Sequence, residues 1–316
     1  MTEWRCFFCL FKFALQTCIL SAVPQYIKEQ SEKSVRGVSF FLDFLWEKNM
    51  KKLALFVMAC VLVSAFTGCK KVQKVDDSLE KLKARKVFVL GLDDSFPPMG
   101  FRNEDNEIVG FDIDLAKEVA ARLGVEFKAQ PIDWDAKELE LSTGKIDCIW
   151  NGLTITPERL EALAFTKPYL NNDQVLVVRK DSGINSFSDA AGKVAGVQNG
   201  SSAQDALDHN QVFKASLKNI VPFKDNLTAM NDLETRGIDM VIMDSIVAAY
   251  DITQSGKDLA IVDGVLAKEA YGIAFRKNDL KLRDAVQATL EEMAEDGTVE
   301  AISKKWFGSD ITVIGK

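Results

Sequence analysis

The chain has 316 residues, of which 47% are hydrophobic and 27% are charged, and its formal net charge is -7. This balance is ordinary for a globular protein that is long enough to form two lobes. The acidic total, and the lack of basic runs interleaved with aromatic residues, argue against a nucleic-acid partner. The sequence therefore predicts a small ligand.

A targeting segment is predicted near the N-terminus. Residues 50–68 combine two early lysines, an apolar run over 53–66 and small residues directly before Cys69. This order resembles a bacterial lipoprotein signal peptide, which implies cleavage before Cys69 and attachment of lipid to it. Phe66 departs from that pattern, in which leucine is usual. A retained signal anchor is the alternative.

The segments on either side of this signal are expected to lie outside the fold. Residues 1–49 precede a complete signal and are interpreted as a mis-called upstream extension, and residues 69–85 as a linker. Four of the six cysteines lie before Cys69, which leaves Cys148 alone in the body, so no disulfide is expected. Cys148 lies in an apolar run and is predicted to be a core residue rather than a nucleophile. No metal site is expected, since His209 is the single histidine.

From residue 86 onward, short apolar runs alternate with amphipathic stretches, which predicts an α/β protein whose sheets are covered by helices. Residues 112–123 are predicted as a helix with Asp112 as its N-cap and a purely structural role, and residues 280–295 as a longer helix. Strands are predicted at 87–91, 126–131, 146–150, 174–179, 193–197, 220–223, 240–243, 260–262 and 271–275.

The order of these elements predicts that the chain leaves one lobe and later returns to it. A polar break at 171–173 ends the first unit, and the strand at 271–275 rejoins it. Lobe 1 is therefore expected to comprise residues 86–172 and 271–316, and lobe 2 residues 173–270. Two linkers would join the lobes and leave a ligand cleft between them.

Residues 151–159 (Asn-Gly-Leu-Thr-Ile-Thr-Pro-Glu-Arg) follow an apolar run and supply the groups that a carboxylate site needs. Arg159 can bind a carboxylate through two parallel hydrogen bonds, although it could instead be a surface arginine in a first helical turn. Thr154 adds a hydroxyl, and Gly152 allows close approach to the backbone. The turn at 200–202 opens a predicted helix, so its free N–H groups and the Ser202 hydroxyl predict either an anion site or a plain N-cap.

Motifs along the body, in this order and spacing, resemble the periplasmic solute-binding proteins for polar amino acids that serve ABC importers. The resemblance covers residues 82–308. It implies a two-lobed periplasmic-binding-protein-like fold of type II, no cofactor, a monomer on the extracytoplasmic side of the membrane, and delivery of the ligand to permease subunits. The motifs are residues 93–99, 110–115, 151–159, 196–202, 239–244, 271–275, 296–298 and 305–308.

The resemblance implies that the ligand carboxylate bridges the two lobes and that a separate acid takes the ammonium. The turn that contains Ser202 would meet the ligand carboxylate from lobe 2, while Arg159 binds it from lobe 1. Asp244 would take the α-ammonium; the alternative is a cap for the next helix.

The ligand side chain would lie between two aromatic rings. Phe96 and Trp134 resemble the stacking aromatics of this family, although either could be a core residue. Asn151, Gln198 and Met243 would line the same pocket with neutral groups. Asp93 would read a distal cation if it, rather than its neighbour Asp94, points inward. Arginine, lysine, glutamine, cystine and other polar amino acids all stay open as ligands.

The competing interpretation is a dehydratase-like enzyme on the same scaffold, because some dehydratases of aromatic amino acid synthesis resemble these binding proteins. Such chemistry needs a general acid in the cleft, for which Asp93 is the obvious candidate. Asp244 would, however, repel a second ligand carboxylate. The preferred interpretation is a lipid-anchored binding protein that closes on a polar L-amino acid without catalysis.

Overall fold

The computed structural model describes residues 75–316. The predicted signal peptide, Cys69 and the predicted upstream extension lie outside the described residues. Within the described range, no helix combines the length and the apolar character needed to cross a membrane.

Helices and short strands alternate along the described chain. The helices are α1 (Ser78–Arg85), α2 (Phe111–Leu123), α3 (Lys137–Ser142), α4 (Pro157–Ala162), α5 (Ser202–His209), α6 (Gln211–Ser216), α7 (Asn226–Glu234), α8 (Ser245–Ser255), α9 (Leu280–Glu295) and α10 (Thr298–Phe307). The strands are β1 (Val87–Leu92), β2 (Ser95–Phe96), β3 (Gly100–Arg102), β4 (Ile108–Val109), β5 (Glu126–Pro131), β6 (Cys148–Ile149), β7 (Leu163–Phe165), β8 (Leu170–Arg179), β9 (Val194–Gln198), β10 (Asn219–Phe223), β11 (Met240–Asp244), β12 (Leu259–Ile261), β13 (Ala267–Tyr271) and β14 (Ala274–Arg276).

The strands form two principal sheets, one for each lobe. The first has the order β5–β1–β6–β14–β7, with β1 parallel to both β5 and β6 and with β14 antiparallel to its neighbours. The second has the order β10–β9–β11–β8–β12, with β9 parallel to β10 and β11. A small sheet of β2, β3 and β4 extends the first lobe. The predicted α/β class is confirmed.

The chain crosses between the lobes along a pair of strands. β8 and β13 are antiparallel, in a register that runs from Gln174 opposite Ala267 to Leu170 opposite Tyr271. The predicted polar break at 171–173 is therefore wrong, since these residues lie inside β8. Asn172 is only 5% exposed, and its side-chain amide forms hydrogen bonds inside the protein rather than with solvent. The predicted strand at 271–275 is also divided, its two parts pairing in different sheets.

Part of the predicted linker at 69–85 is helical. Helix α1 buries Leu82 in the core. It is tied to the start of α9, because the Ser78 hydroxyl accepts a hydrogen bond from the N–H of Leu282 over 3.1 Å. The low apolar content of this segment concealed a helix that is stabilised by tertiary contacts.

Asp112 is not a helix N-cap, contrary to the prediction. Helix α2 begins one residue earlier, and Gly110 occupies the cap position with a φ of 146°. The Asp112 carboxylate is fully buried and accepts hydrogen bonds from the N–H of Gly152 over 2.8 Å and from the Tyr169 hydroxyl over 3.0 Å. Burial raises the pKa of Asp112 to about 7. Residue 112 thus holds the turn that follows β6.

The apolar run at 146–150 forms a shorter strand than predicted, because only Cys148 and Ile149 are paired. Cys148 is fully buried, and this burial raises the pKa of its thiol well above the ordinary value. The prediction of a core cysteine is confirmed, and a thiol in this state is a poor nucleophile.

Candidate ligand-binding site

A cavity lies between the two sheets and is lined from both lobes. Its lining comprises Ser201 and ten of the residues predicted from the sequence: Asp93, Phe96, Trp134, Asn151, Gly152, Thr154, Arg159, Gln198, Ser202 and Asp244. Met243 was predicted to line the pocket as well, but it packs in the apolar core instead. The space between the lining atoms is about 290 Å³, of which only about 10 Å³ is open to the centre of a water molecule. The lobes are therefore closed tightly over the site, since that room suffices for about one water molecule.

Sheet topology explains why these residues meet. In lobe 1, Asp93 follows β1 and Asn151 follows β6, and these strands are parallel neighbours. In lobe 2, Gln198 ends β9 and Asp244 ends β11, which are also parallel neighbours. The carboxyl ends of parallel strands lie at one edge of a sheet, and that edge is where α/β proteins bind ligands. Each lobe presents such an edge to the other.

The turn at 151–152 needs glycine at its second position. Gly152 has a φ of 59°, and a Cβ placed there would lie 2.9 Å from the Phe96 ring. Its N–H is already bound to Asp112 and Tyr169, so Gly152 supplies conformation rather than a donor. Asn151 braces the opposite wall, because its Oδ1 accepts a hydrogen bond from the N–H of Asp93 over 3.0 Å.

The register of the aspartate pair places Asp93 inward and Asp94 outward. The Asp93 carboxylate accepts hydrogen bonds from Gln198 Nε2 of the other lobe over 2.7 Å and from the N–H of Ser95 over 2.9 Å. Asp94 forms an ion pair with Arg102 over 2.6 Å. Burial raises the pKa of Asp93 to about 6. Asp93 is therefore an acidic group at one end of the cavity.

The two predicted aromatic residues line the cavity and also belong to the core. Phe96 is 5% exposed and packs with the largest apolar cluster of the described residues, which contains residues of both lobes. Trp134 is 8% exposed and packs with a smaller cluster that includes Leu141 and Ile149. The two interpretations given for these rings are compatible, since one part of each ring can pack on the core while another faces the cavity.

Arg159 is a buried cation and not a surface arginine. It is 7% exposed, and its guanidinium donates a hydrogen bond to the carbonyl of Thr154 over 3.0 Å. Its nearest carboxylate is that of the half-exposed Asp205, at 3.5 Å. Helix α4 carries this residue in its first turn, where the Thr156 hydroxyl caps the Arg159 N–H. Neutral carbonyls and one long ion pair leave most of its bidentate capacity for another anion.

In the turn at 200–202, the two neighbouring serines have different tasks. Ser201 is the N-cap of α5, since its hydroxyl accepts from the N–H of Gln204. Ser202 is therefore free to reach across the cleft, and its Oγ lies 3.0 Å from Thr154 Oγ1 of the other lobe. The turn offers fewer free donors than predicted, because the Gly200 N–H is bound to the Gln204 side chain and the Ser201 N–H to the carbonyl of Gln198.

Asp244 is buried and makes no capping hydrogen bond, although it precedes helix α8. Its Oδ1 accepts hydrogen bonds from Asn172 Nδ2 over 2.6 Å, Gln174 Nε2 over 2.9 Å and the Tyr271 hydroxyl over 2.8 Å. Burial and the nearby Glu269 carboxylate raise the pKa of Asp244 to about 7. The capping interpretation is therefore wrong.

Three polar side chains on the crossing strands were not predicted from the sequence. Glu269 Oε2 accepts hydrogen bonds from Thr154 Oγ1 over 2.8 Å, Gln174 Nε2 over 3.0 Å and Ser202 Oγ over 3.2 Å. Asn172 and Gln174 lie opposite on β8. Residues 171–174 are all polar, so no alternation with apolar residues marked Asn172 and Gln174 as inward-facing, and the run was interpreted as a break.

Lys137 was also missed, and it links the lobes. Its side chain is 5% exposed, and its Nζ donates to the carbonyl of Gly200 over 2.8 Å and to that of Trp134 over 3.1 Å. The ammonium also lies 5.1 Å from the centre of the Trp134 ring, which is a cation–π distance. Burial and the nearby Arg159 lower the pKa of Lys137 to about 8.

Two lobes that close over a small polar cavity define a solute-binding protein, and comparison with known families gives the same class. The chain belongs to the bacterial extracellular solute-binding proteins, family 3, whose family model matches residues 88–309. That description places its members outside the cytoplasm. Among residues 75–316 there is no group of three or more metal-ligating side chains placed to hold a metal ion.

The matches to named relatives cover most of this chain and nearly the full length of each relative. The chain is 30% identical to the L-cystine-binding protein TcyJ of Escherichia coli, over 81% of this chain and 96% of that protein. It is 32% identical to the arginine-binding extracellular protein ArtP of Bacillus subtilis, over 82% and 98% respectively. A substrate-binding protein of an ABC uptake transporter from Streptococcus pneumoniae, solved with bound histidine, superposes with a TM-score of 0.74 at 36% identity, covering 76% of this chain and all of that one. The predicted type II fold is thus confirmed.

Proposed function

We propose that this protein captures a polar L-amino acid by closing its two lobes and delivers it to the permease subunits of an ABC importer. The observation that carries the proposal is the interlobe cavity, whose lining combines the buried cation Arg159 with the buried anion Asp244. An amino acid is a zwitterion, so a closed site must offer it one group of each sign. The three relatives named above support the same class of ligand and transporter.

The α-carboxylate is assigned to Arg159 and Ser202, which approach it from opposite lobes. The α-ammonium is assigned to Asp244. Since each lobe supplies part of the clamp, the ligand gains all its contacts only when the cleft is closed, and binding therefore favours closure. Entry requires the lobes to separate, because the closed cavity has room for about one water molecule.

The end of the cavity that carries Asp93 favours a ligand side chain with hydrogen-bond donors. Asp93 and Gln198 meet there, while Phe96 and Trp134 supply flat apolar surfaces. A guanidinium or ammonium would pair with Asp93 and offset its cost of burial. L-Arginine is therefore the first candidate. Cystine, histidine, lysine and glutamine are the next, since each offers donors at its distal end.

Binding without turnover is proposed for this site. The Asp93 carboxylate accepts hydrogen bonds from Gln198 and Ser95. These bonds give it a structural role and do not orient it as a general acid. At the other end, Asp244 and Glu269 would repel the second carboxylate of a diacid substrate. The dehydratase alternative therefore lacks a place for its substrate.

The organisation of the chain follows from the crossing strands. Lobe 1 is proposed to comprise helix α1 with residues 86–172 and 271–316, and lobe 2 residues 173–270, with both boundaries between the lobes in the β8–β13 pair. The mature protein is proposed to be a monomer held at the membrane by lipid on Cys69. Palmitate labelling tests the anchor: Cys69→Ala should lose both the label and membrane attachment, and attachment that survives this change would refute it.

A melting experiment over a panel of amino acids tests the proposed function. The purified protein is heated with each common L-amino acid and with cystine, and one or a few should raise the midpoint. A ligand at about 100 times its Kd stabilises by about 2.7 kcal/mol, which corresponds to roughly 5–10 °C for a body of this size. A panel without any shift at millimolar concentration would contradict the proposal.

A further inference from the structure

Two carboxylates in the site share the same pair of amide donors. Asn172 Nδ2 lies 2.6 Å from Asp244 Oδ1 and 3.3 Å from Glu269 Oε2. Gln174 Nε2 lies 2.9 Å and 3.0 Å from the same two oxygens. An amide nitrogen that serves both acids brings the two negative charges close together in a largely buried place, where like charges repel strongly.

Within residues 75–316, neither carboxylate has a basic side chain at ion-pair distance. Arg159, the cation of the same cavity, forms its ion pair with Asp205. The phenols of Tyr169 and Tyr271 stay neutral, because burial raises the pKa of each well above its ordinary value.

The remaining charged groups face this pair from a greater distance. Asp93 lines the same cavity, and its hydrogen-bond partners are Gln198 and Ser95 rather than either acid of the pair. An outer groove of about 720 Å³ begins where Thr154, Ser202 and Glu269 meet, and Glu158, Asp205, His209 and Lys268 line it. The groove connects Glu269 to solvent and therefore provides a route for a proton.

We propose that Asp244 and Glu269 form one cation site, in which they share a single proton until the ammonium of the ligand replaces it, so that capture of the ligand releases that proton to solvent. This inference rests on the proposed function, because it assigns the ammonium to Asp244. It adds Glu269 as a second binding residue and couples binding to pH.

Charge balance supports this exchange. With one shared proton, the pair carries a charge of about -1. When the ammonium enters and the proton leaves, two ionised carboxylates and one ammonium again sum to about -1. The buried region therefore accepts the ligand without gaining charge. An ammonium that entered without this exchange would meet a pair that is already half-neutralised, and would lose much of its attraction.

The pKa of Asp244 is consistent with a proton held at this site. Burial and the Glu269 carboxylate together raise the pKa of Asp244 to about 7. Since the ligand binds the deprotonated pair, its affinity must fall as the pH drops through this value and must level off above it. Between pH 8.5 and pH 6.5 the Kd should rise about fourfold. The Kd is not compared at lower pH, because Asp93 has a pKa of about 6 and its protonation would also change the affinity there.

The first experiment needs no ligand. Carboxyl carbons of Asp and Glu are followed by NMR in the full-length protein between pH 5 and pH 9. We expect Asp244 and Glu269 to report one common proton with a midpoint near neutrality, and Glu269→Gln to lower the Asp244 midpoint. Glu158→Gln is the matched control, because this exposed acid lines the same outer groove without contacting the pair. Two carboxylates fully ionised at pH 5.5 would overturn the inference.

The second experiment uses L-arginine and L-cystine as probes. Calorimetric titration at pH 7 in phosphate and in Tris, which differ in ionisation enthalpy, measures the protons released. The wild type should release about half a proton per ligand at this pH, and Glu269→Gln distinctly less. Equal release by both proteins would refute the inference even if binding is tight. Failure of every amino acid to bind would instead contradict the proposed function, and the carboxyl titration would still decide the inference.

Discussion

At the scale of single residues, the site is defined by buried charges whose partners inside the protein are incomplete. Arg159 is 7% exposed, yet its nearest acceptors are carbonyl oxygens and one carboxylate at 3.5 Å. A buried guanidinium in this position is costly unless an anion completes its hydrogen bonds. The ligand carboxylate is the anion that our account assigns to it.

Replacement of Arg159 by alanine should weaken ligand binding by at least about 100-fold, since removal of one partner of a buried ion pair costs roughly 3–5 kcal/mol. Calorimetric titration with the amino acid identified in the melting panel measures the change. Arg122→Ala is the matched control, because Arg122 pairs with Glu118 and Asp296 on the surface of lobe 1. Undiminished affinity in Arg159→Ala would show that the carboxylate binds elsewhere.

Asp244 lowers the stability of the ligand-free protein in exchange for binding. Its pKa is raised from 3.8 to about 7 in the folded state, so its favourable contribution is complete below pH 3.8 and is lost as the pH rises towards 7. Each unit of such a shift corresponds to about 1.4 kcal/mol. At neutral pH, Asp244 therefore lowers the free energy of unfolding of the ligand-free protein.

Asp244→Asn should accordingly raise the melting temperature of the ligand-free protein by several degrees at pH 8 and by much less at pH 4.5. Asparagine keeps the acceptor oxygen of Asp244 and removes its charge. The same variant should lose ligand binding. Asp258→Asn, which alters a fully exposed acid beside the same sheet, is the control. A variant that melts below the wild type at pH 8 would contradict this prediction.

Nine of the ten predicted residues that line the cavity could be found from the sequence because they lie in the motifs that carry the family resemblance, and Trp134, which lies in a 3-10 helix outside those motifs, was taken from the resemblance alone. Glu269 could not be found in this way. Its partner Thr154 is 115 positions away in the chain, so only the tertiary fold brings the two together. The role of Asp112 was mispredicted for a related reason. An acid at the start of a helix is typical of an N-cap, whereas the neighbouring residues give no sign of its buried contact with Gly152.

At the scale of elements, the β8–β13 pair and helix α3 control how the lobes meet. The crossing strands carry Asn172, Gln174 and Glu269 into the cleft, so the connection between the lobes is also part of the site. Helix α3 contributes Lys137, which donates to Gly200 at the start of α5 in the other lobe. Because this hydrogen bond joins the two lobes, we expect it to break when they separate.

Lys137→Met should weaken ligand binding about tenfold or more, mainly through faster dissociation, because a hydrogen bond from a charged group contributes roughly 1.5–3 kcal/mol. Stopped-flow measurement of ligand release tests this expectation. Lys145→Met serves as the control, since Lys145 is exposed and pairs with Glu140 at the end of the same helix. A release rate equal to that of the wild type would exclude a closing role for Lys137.

Sequence patterns predicted the bounds of an element best where all of its apolar residues lay within one continuous segment. Helix α9 was predicted to the residue, as was strand β5. The run at 146–150 overestimated β6, because apolar residues that end a strand can be buried without being paired. The break at 171–173 was wrong because polar residues on a strand face a buried site instead of solvent.

At the scale of the whole molecule, two α/β lobes bring the carboxyl edges of their sheets face to face. A carboxyl edge alone offers a ligand only one wall, whereas two such edges enclose it. The charged groups divide accordingly, with Arg159 in lobe 1 and Asp244 in lobe 2. Closure and recognition are therefore the same event, which is what a transport protein needs if its loaded form is to differ in shape from its empty form.

The most direct test of this account is a titration that removes one charge of the ligand at a time. The amino acid identified in the melting panel is compared by calorimetry with its α-carboxamide and its N-acetyl derivative. The parent should bind with one site per protein, and each derivative at least about 100-fold more weakly, because each leaves a buried charge of the clamp unpaired. Derivatives that bind as tightly as the parent would contradict the zwitterion clamp between Arg159 and Asp244.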